Sequence, residues 1–399
     1  MESQMLRNEG TTFFRTCLNA INVLSGVGLI SIPFALSQGG WTSLIALFIL
    51  AIICYFMGIL LHRCMEVKPQ IKTYPDIGAL AFGKMGRVIV SIFVYLELYL
   101  FAVDLLILGG DSLEKLFPNW GLKVGALRVD GRKTYMMLTA LLILPTTWVK
   151  SFGALAYVSF GGLLASIVLV GCVVWAGVAD HVGFQQRGVV FRLRGFPTAI
   201  SLYTFCYCAH VVFPTLRSSM TKKAHFPKVL LVSFSLSTLT YGLMAILGYL
   251  MYGQTVETQI TLSLPQHKIN TKIAIFTTLI YPLSKYASII YPIAQAIEDA
   301  SPLCATRLMS IIIRTLLLLT TVVVAIAVPF FAYVMAFIGA FTGVATTILI
   351  PCICYLKINE GWRKFGWELI VIVLIIVVGV SVGLVGTYSS VKELVKRLR

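Results

Sequence analysis

Apolar stretches alternate with short polar segments along almost the whole chain. Eleven such stretches can be counted, over residues 15–37, 41–63, 87–109, 134–150, 154–178, 197–217, 228–252, 271–297, 309–328, 332–356 and 366–388. A helix needs about 20 apolar residues to cross the hydrocarbon core of a bilayer. The pattern therefore predicts an all-α polytopic membrane protein with eleven transmembrane helices.

Composition supports this class of protein. Hydrophobic residues make up 58% of the 399 residues, charged residues make up 12%, and the mean hydropathy is +0.90. A soluble domain carries about 25% charged residues. We therefore expect one transmembrane domain over residues 15–388, between a short N-terminus (1–14) and a polar C-terminal tail (389–399).

The basic residues indicate topology and not a nucleic-acid partner. The net charge of +16 comes mainly from Lys and Arg in short segments between apolar stretches, where such residues set orientation. The 37–41 turn has none, whereas the 62–87 segment has five. This difference places the N-terminus in the cytosol. The segment Tyr74–Gly83 is too short to span a bilayer and reads as an interfacial helix, with an ordinary loop as the alternative.

No constellation of residues suggests an enzyme or a cofactor. Most of the nine cysteines fall in apolar stretches, and Cys352-x-Cys354 lacks partners at metal-ligand spacing, so packing is the better interpretation. No Gly-rich Walker pattern is present, which disfavours an ATP-driven pump.

The first apolar stretch contains a helix-breaking sequence, Asn22 to Pro33. In lipid, a broken helix is tolerated where its freed backbone groups line a cavity or meet a ligand. Helix packing through Gly26 and Gly28 is the alternative for that pair alone. The sixth stretch is interrupted in a similar way over Ser201 to Pro214. Breaks at corresponding positions of two repeats, residues 15–178 and 197–356, point to a transporter's central site.

The two breaks suit a zwitterion. A half-helix that begins near Gly26 presents unpaired N–H groups and a positive dipole end to a carboxylate. We expect Ser25, Gly26, Val27 and Gly28 to form this part of the site. Carbonyl groups near Phe205 and Cys206 would accept hydrogen bonds from an amino group. The aromatic residues Tyr99, Phe205 and Tyr207 are candidates for walls or gates.

Several features together resemble the amino acid/auxin permease family, and within it the plant vacuolar-type amino acid transporters. They are Gly26-Val27-Gly28 with Pro33, the Tyr74–Gly83 segment followed by Gly86-Arg87, the sixth stretch with His210 and Pro214, and Tyr281–Ala287 followed by Tyr291-Pro292. The resemblance covers residues 12–388. It implies the five-plus-five inverted repeat of the leucine-transporter-like fold with one extra helix (366–388), and secondary active transport of amino acids. It also implies a vacuolar membrane, with the plasma membrane as the alternative. Members often carry a long polar cytosolic leader, and the segment before the first stretch is short here, so regulation and destination stay open.

Ionisable residues inside spans are functional candidates, because they are costly there unless paired or protonated. Sodium-coupled relatives of this fold hold a sodium ion between the first and eighth helices, and the ammonium of Lys285 would replace that ion or exchange a proton with Glu97. A structural ion pair with a carboxylate is the alternative. His210 titrates in a range that suits proton coupling, although a hydrogen-bonded cavity histidine fits equally well. We expect Asp104 to reach water near the outer end of its span, and Arg314 to snorkel to the inner interface.

These observations predict a proton-coupled amino acid transporter that works by alternating access. Its expected partners are an amino acid, protons and the lipid bilayer, and it is expected to act as a monomer. Two other functions stay open. One is a carrier of auxin or another organic anion, and the other is a non-transporting nutrient receptor on the same scaffold.

Overall fold

The structure is a computed structural model that describes residues 10–68, 70–118, 123–124, 127–128, 131–148, 153–300, 306–360 and 366–398. Within these ranges the chain is almost entirely helical, which confirms the all-α fold class. The helices are α1 (Phe13–Leu24), α2 (Gly28–Gly39), α3 (Ser43–Val67), α4 (Tyr74–Leu116), α5 (Gly131–Thr147), α6 (Gly153–Val178), α7 (Phe196–Cys206), α8 (Phe213–Ser219), α9 (Phe226–Tyr252), α10 (Ile260–Ser263), α11 (Ile269–Glu298), α12 (Arg307–Ala327), α13 (Phe331–Ile338), α14 (Ile350–Ile358) and α15 (Trp367–Leu398). Two short strands, β1 (Lys123–Val124) and β2 (Leu127–Arg128), pair antiparallel.

Most of the predicted spans have a counterpart among these helices. In the described part of the chain, nine helical segments are long and apolar enough to cross a membrane, and α1 with α2 forms a tenth span, bent by 48°. Helix α5 has 17 residues and lies where the fourth of the eleven spans is predicted. The count of eleven therefore stays a prediction.

Helix α4 contains a sharp break near its start. Phe82 has φ −134° and ψ 16°, and Gly83 has a φ of +65°, a conformation that glycine adopts without a steric penalty. The segment before the break begins with a capping box between Thr73 and Asp76, and the Asp76 carboxylate pairs with Arg87 at 2.7 Å. A short separate helix therefore precedes the third span, as its sequence predicts.

The C-terminal helix is longer than its apolar stretch. Helix α15 continues to Leu398, ten residues beyond the predicted end of the span at residue 388. Ser390 is buried, and Arg397 donates a hydrogen bond to the Tyr333 hydroxyl at 3.0 Å. Residues 389–398 of the segment predicted as a polar tail are thus helical. We call the face at which α15 ends the outer face, and the opposite face the inner face.

The half-helices pack against one another at the centre of the bundle. Helix α2 packs on α7 and α9, and α1 packs on α6 and α9. Helix α4 packs along α11, which brings the third and eighth predicted spans together. Between α13 and α14 the chain forms two π-helical segments, Gly339–Gly343 and Ala345–Leu349. Such segments are frequent at functional sites.

Candidate functional site

The first span is interrupted between Leu24 and Gly28. Ser25 leaves helical geometry, with φ −78° and ψ 53°, and the amide of Gly26 bonds back to the Leu24 carbonyl at 2.8 Å. The first hydrogen bonds of α2 run to the carbonyls of Gly26 and Val27, both at 3.2 Å. The amides of Val27 and Gly28 therefore occupy the positions of the unpaired donors at a helix N-terminus, where the dipole favours negative charge.

The carbonyl groups at the end of α1 are bonded by side chains from three other helices. Lys285 Nζ donates to Asn22 O at 3.0 Å, the Tyr241 hydroxyl donates to Leu24 O, and Ser166 Oγ donates to Ser25 O at 2.8 Å. Carbonyls released by a helix break in a membrane must find donors within the protein. These side chains supply them.

Tyr241 connects the two interruptions. Its hydroxyl contacts the carbonyl oxygen of Leu24 and lies 3.1 Å from that of Cys206. A second link runs through Ser166, whose hydroxyl lies 2.8 Å from the Tyr281 hydroxyl. The break in the first span is thus held by α6, α9 and α11 together.

The sixth span is broken directly after Cys206. The amide of Tyr207 bonds to Thr204 O at 3.0 Å, and that of Ala209 bonds to Tyr207 O at 2.8 Å, so the helical ladder is lost. A single 3₁₀ turn begins at His210 before α8 starts. The structure therefore confirms an interruption in each of the two spans for which the sequence predicts one.

The two breaks are in close contact. A Cβ atom placed on Gly28 would lie 2.8 Å from Cys206 Sγ and 3.2 Å from its Cα. A Cβ placed on Gly26 would lie 3.1 Å from Lys285 Nζ. Glycine at both positions lets the backbone of the first break approach the sixth and eighth spans. The structure thus brings Gly26, Gly28, Cys206 and Lys285 together.

The predicted wall residues have different surroundings. The ring of Phe205 is buried and packs edge-on against Phe101, with the ring centroids 5.6 Å apart. Tyr207 is buried, and its hydroxyl lies 2.9 Å from Thr238 Oγ1 on α9. Tyr99 is half-buried. The hydroxyl of Tyr207 is therefore engaged with α9.

Lys285 is half-buried on α11, and its ammonium lies against the end of α1. Besides its bond to Asn22 O, the nitrogen lies 5.3 Å from the centroid of the Tyr281 ring, a cation–π distance. Among the described residues, Lys285 forms no ion pair with a carboxylate. The ammonium is instead neutralised in part by the negative end of the α1 dipole.

Glu97 is buried on α4. Its carboxylate accepts a hydrogen bond from Thr346 Oγ1 at 2.5 Å, on the second π-helical segment. The Tyr74 hydroxyl bonds to the carbonyl of Thr346. Glu97 thus connects the third span to the π-helical segment and, through Thr346, to the short helix before the third span.

His210 is fully buried immediately after the break in the sixth span. Its Nε2 lies 2.8 Å from Cys54 O on α3, and its ring lies 4.8 Å from that of Phe213. Because a carbonyl only accepts, Nε2 carries a proton in this arrangement. The histidine therefore joins the sixth span to the second.

Two expectations about charged residues are wrong. Arg314 does not snorkel to the interface, because it is buried, pairs with Glu298 at 3.0 Å and donates to Thr147 O at 3.0 Å. Asp104 does not reach water, since none of its surface is exposed. In both cases the surrounding helices cover a position that the sequence places near a span end.

A cavity of about 490 Å³ opens at the outer face. It is lined by Asp111, Glu114, Lys115, Pro118, Arg132, Glu257, Thr258, Leu262, Gln266, Pro329, Phe330, Phe331, Tyr333 and Arg397. The Asp111 carboxylate accepts from Arg132 Nε at 2.5 Å and from Gln259 Nε2 at 2.8 Å. Lys115 Nζ donates to Leu262 O at 2.8 Å. The bonds from Gln259 and Lys115 hold α10 against the outer end of α4, and the bond from Arg132 ties α5 to it.

Sequence reasoning missed Tyr241 and Ser166 as parts of this site. Each is a polar side chain within an apolar span, and that is the only signal the sequence offers for it. Tyr281 belongs to a segment that the resemblance highlights, although its hydrogen bond to Ser166 depends on the packing of α6 on α11.

Comparisons with known proteins agree with this architecture. The sequence profile of the family described as transmembrane amino acid transporter protein matches residues 9–392. The chain is 45% identical to amino acid transporter AVT1I of Arabidopsis thaliana over 387 residues, covering 96% of each protein. It is 45% identical to amino acid transporter AVT1J of the same plant over 390 residues, which are 97% of this chain and 92% of that protein. It is 25% identical to the vesicular GABA transporter of Caenorhabditis elegans, with 98% and 82% covered.

A solved structure shares the fold. The substrate-bound, outward-open Na⁺-coupled sialic acid symporter matches with a TM-score of 0.53 at 13% identity, over 94% of this chain and 89% of that one. The chain has the leucine-transporter-like fold, with two broken spans that meet at the centre of the bundle. With the family match over nearly its whole length, the chain belongs to the transmembrane amino acid transporter family and is a secondary amino acid transporter.

Proposed function

We propose that this transporter couples amino acid movement to a proton gradient and binds its substrate where the two broken spans meet. The substrate carboxylate would accept hydrogen bonds from the backbone amides of Val27 and Gly28, beside Ser25 and Gly26, whose own amide bonds to Leu24 O at 2.8 Å. The backbone N–H groups of Val27 and Gly28 occupy the unpaired donor positions at the start of α2, which supports this assignment.

The amino group of the substrate would bind on the opposite side, at the carbonyls of Phe205 and Cys206. The Phe205 oxygen accepts from the Cys208 amide at 3.0 Å, and the Cys206 oxygen lies 3.1 Å from the Tyr241 hydroxyl, whose proton is donated to Leu24 O. A carbonyl oxygen has two lone pairs and can accept a second bond. Phe205, Tyr207 and Tyr99 would close the cavity around the substrate side chain.

The position of Lys285 is the observation that carries the proposed coupling. Its ammonium bonds to Asn22 O beside Gly26, at the end of a half-helix where unpaired carbonyls attract a cation. A fixed ammonium at this place makes a bound sodium ion unnecessary. Protonation of Lys285 would then set how the end of α1 and the eighth span move together.

Glu97 and His210 are the other proposed proton-binding residues. Each is buried in a span and each bonds a different neighbour, Thr346 for Glu97 and Cys54 for His210. Protonation or deprotonation of either residue would therefore alter the contact between two helices, as a carrier with alternating access requires.

We also propose that the protein acts as a monomer in the vacuolar membrane with its N-terminus in the cytosol. The five basic residues of the 62–87 segment support this orientation. Protease protection of an N-terminal tag in sealed vacuoles tests it. A tag that is protected inside the vacuole would contradict the orientation.

Uptake into proteoliposomes tests the proposed coupling. Purified protein is reconstituted without Na⁺, and entry of labelled amino acids is followed under an imposed pH gradient, with and without a protonophore. We expect accumulation that the protonophore abolishes. Saturable binding without flux would favour a receptor. Gradient-driven flux of organic anions that lack an amino group would favour the anion carrier.

A further inference from the structure

Asp104 is a buried acid without a partner. It lies in the outer half of α4, none of its surface is exposed, and neither carboxylate oxygen has a hydrogen-bond partner among the described residues. An ionised carboxylate in such a place has lost its water and gained no donor or cation in return. The side chain is therefore in its protonated, uncharged form in this conformation.

The spacing of acids along α4 connects Asp104 with the outer cavity. Glu97, Asp104 and Asp111 are seven residues apart in turn, so their side chains leave the helix on one face, with a drift of about 20° per heptad. Each step rises about 10.5 Å along the axis, at 1.5 Å per residue. Asp111 lines the outer cavity and Glu97 lies deeper in the bundle, so Asp104 stands between them.

Seven titratable groups on the elements packed against α4 bond to residues other than Asp104. Lys285 bonds to Asn22, Tyr286 to Thr321, Arg132 to Asp111, Tyr135 to Phe117, Arg314 to Glu298, Tyr333 to Arg397, and His210 to Cys54. Asp111, on the same helix, is the next acid toward the outer cavity and is paired with Arg132.

We propose that Asp104 binds and releases a proton during the transport cycle, taking it from the outer cavity past Asp111. This inference rests on the proposed proton coupling. In the step, a proton leaves a hydronium ion in the cavity, binds an oxygen of the Asp104 carboxylate, and leaves water behind. On release, the proton returns to water and the carboxylate is restored.

The distances require water between the acids. A rise of about 10.5 Å per heptad is more than three times a hydrogen-bond length. Release of Gln259 from Asp111, and of Leu262 from Lys115, would lift α10 and admit solvent to this face of α4. Proton access would then depend on the open state of the outer cavity.

Asp104→Asn tests the inference, because the amide has the shape of the protonated acid and cannot ionise. The matched control is Thr271→Val, which removes another buried polar atom without a partner, on α11. The first readout is infrared spectroscopy of the purified proteins, which detects the carbonyl band of a protonated carboxylic acid. We expect wild type and Thr271→Val to share a band that Asp104→Asn lacks. An unchanged band in Asp104→Asn would overturn the protonated assignment.

The second readout is transport in proteoliposomes. We expect Asp104→Asn to lose accumulation driven by the pH gradient while it keeps exchange of labelled for unlabelled amino acid. Thr271→Val should keep both. Gradient-driven accumulation at the wild-type level in Asp104→Asn would overturn the role of Asp104. Failure of the proposed proton coupling can be told apart from failure of the Asp104 role. In the first case, the wild-type protein itself would show no response to the gradient.

Discussion

The ammonium nitrogen of Lys285 lies 3.0 Å from the carbonyl oxygen of Asn22, where the first half-helix ends. This contact joins the eighth span to the broken first span. The proposed proton coupling rests on it. The helix end attracts a positive charge, and here the charge belongs to the protein.

Gly28→Ala should weaken substrate binding. A Cβ at this position would lie 2.8 Å from Cys206 Sγ and 3.2 Å from Cys206 Cα, so the two breaks would have to separate. Overpacking of this kind costs about 1–3 kcal/mol. We expect a loss of affinity on the order of tenfold or more, measured by the binding of labelled amino acid to purified protein.

Gly171→Ala is the matched control, because a Cβ there meets nothing within 4 Å. It should bind substrate as the wild type does. Equal affinity in the two variants would contradict the close approach of the two breaks that the proposed site requires.

Tyr241→Phe should destabilise the centre of the bundle. The substitution keeps the ring but removes the hydroxyl that donates to Leu24 O and lies 3.1 Å from Cys206 O. Loss of one buried hydrogen bond costs about 0.5–1.5 kcal/mol. We expect a lower Tm in detergent. Tyr388→Phe, at a residue that is 69% exposed, should leave the Tm unchanged. A Tm equal to that of wild type in Tyr241→Phe would show that the bridge contributes nothing.

Glu298→Gln should destabilise the protein more than Glu298→Met combined with Arg314→Met. The single change leaves the buried Arg314 guanidinium without its carboxylate partner, which costs about 3–5 kcal/mol. The double change removes both charges and keeps apolar volume. Thermal unfolding of the two variants in detergent measures the difference. A single variant as stable as wild type would contradict the buried ion pair.

Lys115→Met should loosen the outer closure. The change removes the bond from Lys115 Nζ to Leu262 O, one of the ties between α4 and α10. The side chain of Thr261 on α10 is fully buried, so a cysteine at this position reports on opening. In Thr261→Cys protein, we expect Lys115→Met to speed labelling of this cysteine by a membrane-impermeant maleimide. Lys268→Met, which breaks an outer-face ion pair with Asp180, is the control and should not change the rate. Equal labelling in both variants would show that Lys115 does not restrain α10.

The sequence predicts the breaks well, because glycine, serine and proline interrupt a helix through local geometry. Residues 25–27 and 207–209 separate the half-helices in the structure, within the stretches that the sequence singles out. The short helix before the third span is predicted for a different reason, because the Tyr74–Gly83 segment is too short to cross a bilayer.

The partners of the polar groups could not be predicted, because they depend on packing between distant elements. Tyr241 reaches a carbonyl 217 residues away in the chain. Arg314 lies near the start of an apolar stretch, which suggests contact with the interface, yet Glu298 on the preceding helix pairs with it inside the bundle. The burial of Asp104 likewise follows from the helices that cover it.

Transport by Lys285→Ala protein tests the central claim most directly. The matched control is Lys272→Ala, which removes an exposed lysine from the same helix. Both variants are reconstituted without Na⁺, and uptake of labelled amino acid is measured with and without an imposed pH gradient. We predict that the gradient drives accumulation in wild type and Lys272→Ala and has no effect on folded Lys285→Ala protein. Gradient-driven accumulation at the wild-type level in Lys285→Ala would contradict the account.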